Sequence, residues 1–166
     1  MENNETRFGF RSVVEILAFA GLVLQALVVA GTWNSLPELI PVHFDLSGSA
    51  DRWGDRTDLL LLLTLSAALY AGLTWMQQYP HKFNYPWKIT PKTETRHYRL
   101  ATGFVRTVKL QAVWLFALIS LQTILVAQGR SDGLGLLFVP IVLAVLTATG
   151  SWYFWRASRL SFESEG

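Results

Sequence analysis

A histidine set among carboxylates can hold a metal ion or move a proton, and one stretch of this chain offers that combination. Between Trp33 and Asp58, in WNSLPELIPVHFDLSGSADRWGDRTD, His43 is followed by Asp45, Asp51, Asp55 and Asp58. Imidazole nitrogen with carboxylate oxygen suits zinc, and carboxylate oxygen alone suits a hard cation. The zinc-protease pattern needs two histidines a helical turn apart, and this stretch holds one. The calcium loop needs glycine at its sixth position and glutamate at its twelfth; with Gly48 as the sixth, the twelfth is Gly54. Both patterns fail. His43, Asp45 and Asp51, with Ser47 beside them, remain weak candidates for a cation. The plainer reading is that these side chains hydrogen-bond the turn they sit in. No catalytic set is complete, and no metal or cofactor is expected.

A second group of polar residues interrupts otherwise apolar runs. Ionisable groups inside a membrane span are costly and point inward or find partners. Glu15 and Lys109 fall at comparable depth in two such runs, so an ion pair between Glu15 and Lys109, or Arg106, is expected. Gln111 and Gln122 share one face of a helix, and Gln25 is expected to meet Gln122 through an interhelical amide hydrogen bond.

The elements that must position these groups follow from hydropathy. The chain is 51% hydrophobic and 16% charged, against roughly 25% charged in soluble proteins. Four runs reach the roughly 20 apolar residues that cross a hydrocarbon core. They place helices at about 13–32, 59–76, 108–127 and 134–155, with Pro140 expected to kink the last. A soluble four-helix bundle would need polar residues along one side of each helix, and LLLLLTLSAALYAGL has none. The fold class is therefore an all-α polytopic membrane protein: one domain over residues 1–166, the lipid bilayer its first partner. A cleaved leader is disfavoured because acidic Glu2 and Glu5 accompany Arg7 and Arg11 in the segment before Val13. The absence of cysteine excludes disulfides, thiolate metal sites and a cysteine nucleophile.

Lysine and arginine set the orientation. The 33–58 loop carries Arg52 and Arg56 among five carboxylates. The connection between the second and third helices, with the start of the third, carries Lys82, Lys88, Lys92, Arg96, Arg99, Arg106 and Lys109. This count puts both termini and the second loop in the cytoplasm, and the 33–58 loop outside the inner (plasma) membrane. Trp33 and Trp53 then mark the outer headgroup level, and Trp75, Tyr79, Tyr85, Trp87, Trp152, Tyr153 and Trp155 the inner one. Trp114 falls within a helix.

The outer loop is expected to be ordered. Pro37 and Pro41 force extended or turn geometry on Leu36 and Ile40. Leu36, Leu39, Ile40, Val42 and Phe44 are too apolar for a solvated loop and are expected to pack over helix ends, with Asp55 to Asp58 capping the second helix. Pro37, Pro41, His43, Phe44, Asp45, Asp51 and Trp53 are the candidate ligand- or partner-binding residues. The inner loop turns at Asn84-Tyr85-Pro86-Trp87 and becomes helical and basic from Thr93. Asn84, Tyr85, Trp87, Arg96, Tyr98 and Arg99 form a candidate cytoplasmic surface suited to anionic headgroups. No nucleic-acid reader motif accompanies these charges.

LPELIPVHFDLSGSADRWGDRT resembles the pattern LP-x-x-IP-x-HF-x-x-x-G-x-x-D-x-x-G-x-K of membrane proteins carrying domain of unknown function 1648. Leu36, Pro37, Ile40, Pro41, His43, Phe44, Gly48, Asp51 and Gly54 fit it, and Arg56 stands where lysine is common. FNYPWKITPKTETRHYRLA resembles the asparagine-tyrosine-proline segment of small members. The resemblance implies a bacterial or archaeal four-helix membrane protein. It also implies a distant relation to immunity proteins that join this domain to further helices and protect against a sporulation-delaying peptide toxin. The expected function is a binding or accessory role, immunity- or signalling-like, in which the 33–58 loop recognises a peptide, a lipid or a membrane-protein subunit. The alternative is a small transporter or membrane-embedded enzyme using His43, Asp51 and Glu15. Oligomeric state is left open.

Overall fold

The computed structural model describes residues 2–162, with side chains described from 12 to 161. Glu2, Glu5, Arg7 and Arg11, named in the argument against a cleaved leader, lie outside the described side chains. Four long helices are present: α1 (Glu2–Thr32), α2 (Asp58–Met76), α3 (Glu94–Ala127) and α4 (Phe138–Phe162). All four are long and apolar enough to cross a membrane. The chain is a multi-pass membrane protein.

The loop between α1 and α2 is more regular than an ordered coil. After a 3-10 turn at Trp33–Ser35, β1 (Leu39–Phe44) and β2 (Ala50–Asp55) form an antiparallel hairpin. Asp45 N–H donates to Ser49 O, and Gly48 N–H donates back to Asp45 O, each at 2.9 Å. Gly48 has a φ of 82°, which a side chain adopts only with strain, and this closes the turn. Pro41 lacks an N–H, and a two-stranded sheet leaves an outer edge on each strand where that lack is harmless. The register shifts twice, once on each strand, so that Val42 and Asp51 are each an extra residue.

α3 is the hub. Its buried residues His97, Ala101, Val105, Lys109, Val113, Ala117 and Ser120 recur almost every four positions and form one stripe along the helix. Against it, α1 buries Val14, Ala18, Gly21, Gln25 and Val29. Gly21 lets the helices approach closely: a methyl group there would meet Trp114 Nε1 at 3.0 Å, and the ring would have to give by a few tenths of an ångström. Trp114 Nε1 in turn donates to Leu17 O at 3.1 Å, which satisfies its indole inside the span. The membrane-spanning part of α4 is exposed, and among its described residues the helix buries only Ala157 and Leu160 near its end. It meets α3 through a Phe104–Tyr153 ring stack, with centroids 4.3 Å apart, and a Gln111–Thr149 hydrogen bond of 2.7 Å.

Three expected details change. The helix expected from Thr93 begins at Glu94 and runs unbroken into the span expected from residue 108, so Arg96 and Arg99 stand beyond the span on the same helix. At ~1.5 Å per residue its length is about 51 Å, well above the roughly 30 Å of a hydrocarbon core. Pro140 falls in the first turn of α4, where its missing N–H breaks no helical bond, so it introduces no kink. Gln25 donates to Ser120 Oγ at 2.9 Å rather than to Gln122, whose carbonyl oxygen is buried without a protein partner.

Candidate functional site

The hairpin is a lid with two unlike faces. On its inner face Ile40, with Leu36 from the segment leading into β1, is buried in one cluster with Val29, Leu59 and Ile124, drawn from α1, α2 and α3. Burying a side chain of that size contributes about 1.5–3 kcal/mol, so these two fix the strand to the helix ends. Pro41 is also buried, whereas Pro37 is exposed and sets the extended entry to β1. A side chain at Gly54 would meet Val42 and the Asp58 carboxylate, each at 2.7 Å, so the second strand lies hard against the start of α2. The tip is held separately. Gly48 O accepts from Leu134 N–H at 2.7 Å, and Ser49 bridges to Gly133 in the α3–α4 connection.

The outer face carries the polar groups. His43 Nδ1 and Asp51 Oδ1 are 2.6 Å apart, with about half of each side chain exposed. Asp51 is the bulged residue of β2, and this extra position lets its carboxylate reach His43. An ionised carboxylate only accepts, so Nδ1 carries the proton and Nε2 is left available. This is the histidine–carboxylate half of an acid–base constellation. Among the described residues no hydroxyl is hydrogen-bonded to His43.

Asp45 faces elsewhere. Its Oδ1 accepts from Ser47 N–H at 2.8 Å, Ser47 Oγ at 2.6 Å and Ser49 N–H at 3.0 Å. The Ser47 hydroxyl, with the N–H groups of Ser49, Ser47 and Gly48, holds the Asp45 carboxyl below its ordinary value of 3.8. Asp55 is held low in the same way by Thr57, whose N–H it receives at 2.7 Å at the start of α2. Asp45 and Asp51 thus serve different partners, and among the described residues no three metal-ligating side chains converge.

Beneath the lid lies a cavity of about 550 Å³, open on one side. Pro41, Phe44, Leu62 and Ile119 give it apolar walls, and His43 and Arg52 stand at its polar edge. Trp53 is half exposed on the outer strand, beside the hairpin's acidic groups.

Glu15 belongs to a different place. Its carboxylate receives Lys109 Nζ at 2.6 Å and Arg106 Nε at 3.2 Å. Lys109 is wholly buried and also donates to Thr74 Oγ1 at 2.8 Å, with its ammonium 4.8 Å from the Tyr70 ring. Glu15 stands seventeen residues before the hairpin end of α1, about 26 Å along the helix axis. It cannot share a site with His43 and Asp51.

The inner-loop residues gather around a histidine not singled out from the sequence. Trp87 Nε1 donates to His97 Nδ1 at 3.1 Å, and Tyr85 lies edge-on to the same imidazole. Tyr85 also packs on Tyr98 and donates to Pro80 O at 2.9 Å; burial pushes its phenol above the usual range. Asn84, Arg96 and Arg99 are exposed around this aromatic cluster. The spacing of four from His97 through Ala101 and Val105 to Lys109 was the available signal, once α3 is started at Glu94. Thr74, Tyr70, Ser120 and Thr149 carried none.

The hairpin, with the helix ends that support it, is also where the chain matches a family model. Residues 20–73 match the model of domain of unknown function 1648 (DUF1648). The DUF1648 match takes in the last thirteen residues of α1, the whole hairpin and nearly all of α2, and stops short of α3 and α4. An uncharacterized protein of Archaeoglobus fulgidus is 27% identical over 162 residues, covering 89% of this chain and 86% of its own. No solved structure matches the chain.

Proposed function

We propose that this protein is a membrane-embedded recognition or accessory protein, and that the hairpin is the surface by which it binds a peptide segment of a partner. The observation that carries the reading is the division of the hairpin into two faces. One is buried over three helix ends and tied to the α3–α4 connection, which leaves the other preorganised. A rigid surface loses little entropy on binding. Its acidic character, with five carboxylates against Arg52 and Arg56 between residues 33 and 58, suits a cationic segment. Trp53 supplies an aromatic anchor of the kind that dominates interface energetics.

The lysine and arginine count supports an orientation with the hairpin outside the plasma membrane and both termini in the cytoplasm. A shared site of His43, Asp51 and Glu15, as a transporter or enzyme would use, is not supported by the separation along α1.

A photo-crosslinker placed at Trp53 in native membranes tests the reading. One stoichiometric partner is expected, with capture weakened at least tenfold by the paired reversal Asp51→Lys and Asp55→Lys. Capture that is unaltered by charge reversal, or equal from a crosslinker placed on lipid-facing Leu143, would sink it.

A further inference from the structure

The end of the bundle away from the hairpin holds a second hollow of about 500 Å³, outside the DUF1648 match and independent of the hairpin reading. Its walls are apolar and aromatic: Trp75 and Met76 from the last turn of α2, Phe104 from α3 and Tyr153 from α4. Lys82 and Asn84 stand at its edge. Its size falls within the roughly 300–1,000 Å³ of small-molecule sites.

Height and charge say what fits. α2 has 19 residues, about 28 Å of helix, so Trp75 and Met76 come to the boundary of a hydrocarbon core of about 30 Å. The hollow therefore straddles the headgroup level, with exposed Trp75 on its lipid side. From Gln77 to Thr107 the chain carries six lysines and arginines and one acid, Glu94. Lys82 Nζ lies 4.8 Å from the Tyr79 ring centre, and among the described residues no carboxylate pairs with it. A phosphate at Lys82 would complete the ammonium's partners, and the Asn84 amide can donate beside it.

We propose that this hollow is a site for one anionic phospholipid, its phosphate at Lys82 and Asn84 and an acyl chain along Trp75, Met76 and Phe104. The excess of basic residues selects an anionic headgroup over a zwitterionic one. The aromatic walls make it a discrete site within the general attraction of a basic surface for the membrane.

The test places the full chain in nanodiscs of phosphatidylcholine containing a minor fraction of chain-brominated phosphatidylglycerol, or the same fraction of chain-brominated phosphatidylcholine. Bromine quenches tryptophan on contact, and a Trp75→Phe variant isolates the share due to Trp75. Saturable Trp75-dependent quenching by the brominated phosphatidylglycerol alone is expected. Lys82→Gln should weaken it about fivefold, the equivalent of ~1 kcal/mol for one basic residue near an anionic surface. Lys88→Gln and Lys92→Gln should leave it unchanged. Equal quenching by the two brominated lipids overturns the proposal, and so do equal losses for all three lysine variants, which would mean diffuse surface attraction.

Discussion

Lys109 is a wholly buried ammonium, and each of its three donor directions is accounted for. Glu15 takes one, Thr74 takes another, and the face of Tyr70 lies toward the third. Removing one partner of a buried pair costs about 3–5 kcal/mol, because the charge left behind is uncompensated. Glu15→Ala should therefore lower stability by about that amount in denaturant titrations of detergent-solubilised protein. The double variant Glu15→Leu with Lys109→Met should recover most of it; a double variant as unstable as the single would refute this account. Asp45 gives a pH effect of defined sign. Its carboxyl is held below the ordinary value of 3.8, so its contribution is complete above that value and is lost as pH falls through the lower folded value. Amide exchange at Ser47 and Ser49 should be slow at neutral pH and speed up only below pH 3.8, beyond the intrinsic trend. In Asp45→Ala it should be fast throughout.

At the scale of elements, the tip of the hairpin rests on backbone approach rather than side chains. At Gly48 an added methyl would meet the Gly135 backbone at 2.5 Å, and its φ is already 82°. Gly129 has a similar φ of 68° with open space around it. Gly129→Ala should cost only the backbone term of about 1–2 kcal/mol. Gly48→Ala should cost more and detach the tip from the α3–α4 connection, seen as faster proteolysis between Asp45 and Ser49 with helix content unchanged. Equal effects at the two glycines would mean that the approach contributes nothing. The four spans and the packing of Leu36 and Ile40 were readable from hydropathy and from proline spacing. The strands were not. Pro41 interrupts β1, β2 reads ADRWGD with no apolar alternation, and the two bulges break the period of two that marks a strand. The helical turn from Thr93 was readable, but its continuity with the third span was not: the first turns are basic and polar, and only the four-residue recurrence from His97 reveals one buried stripe. Of the candidate site, His43 and Asp51 were legible as residue types. Their pairing depends on the bulge, which no local pattern announces.

For the whole molecule, the decisive quantity is which end faces which compartment. The natural chain has no cysteine, so single substitutions report cleanly. Cysteine in place of Leu46 at the exposed hairpin tip should react with a membrane-impermeant maleimide on intact cells. Cysteine in place of Lys92 should react only after permeabilisation. The reverse pattern would invert the orientation and place the acidic hairpin in the cytoplasm.

The bond from Leu134 to Gly48 also imposes an order on how the protein comes into being. The hairpin is synthesised early, between the first two spans, yet the segment that secures its tip emerges only after α3 is complete. Until then the strand edges and the apolar underside of the lid have only a partial floor, since Ile124 also arrives with α3. A chain arrested after α2 would present an unfinished cap to other proteins at the membrane surface. Closure of that cap therefore requires the second helical pair.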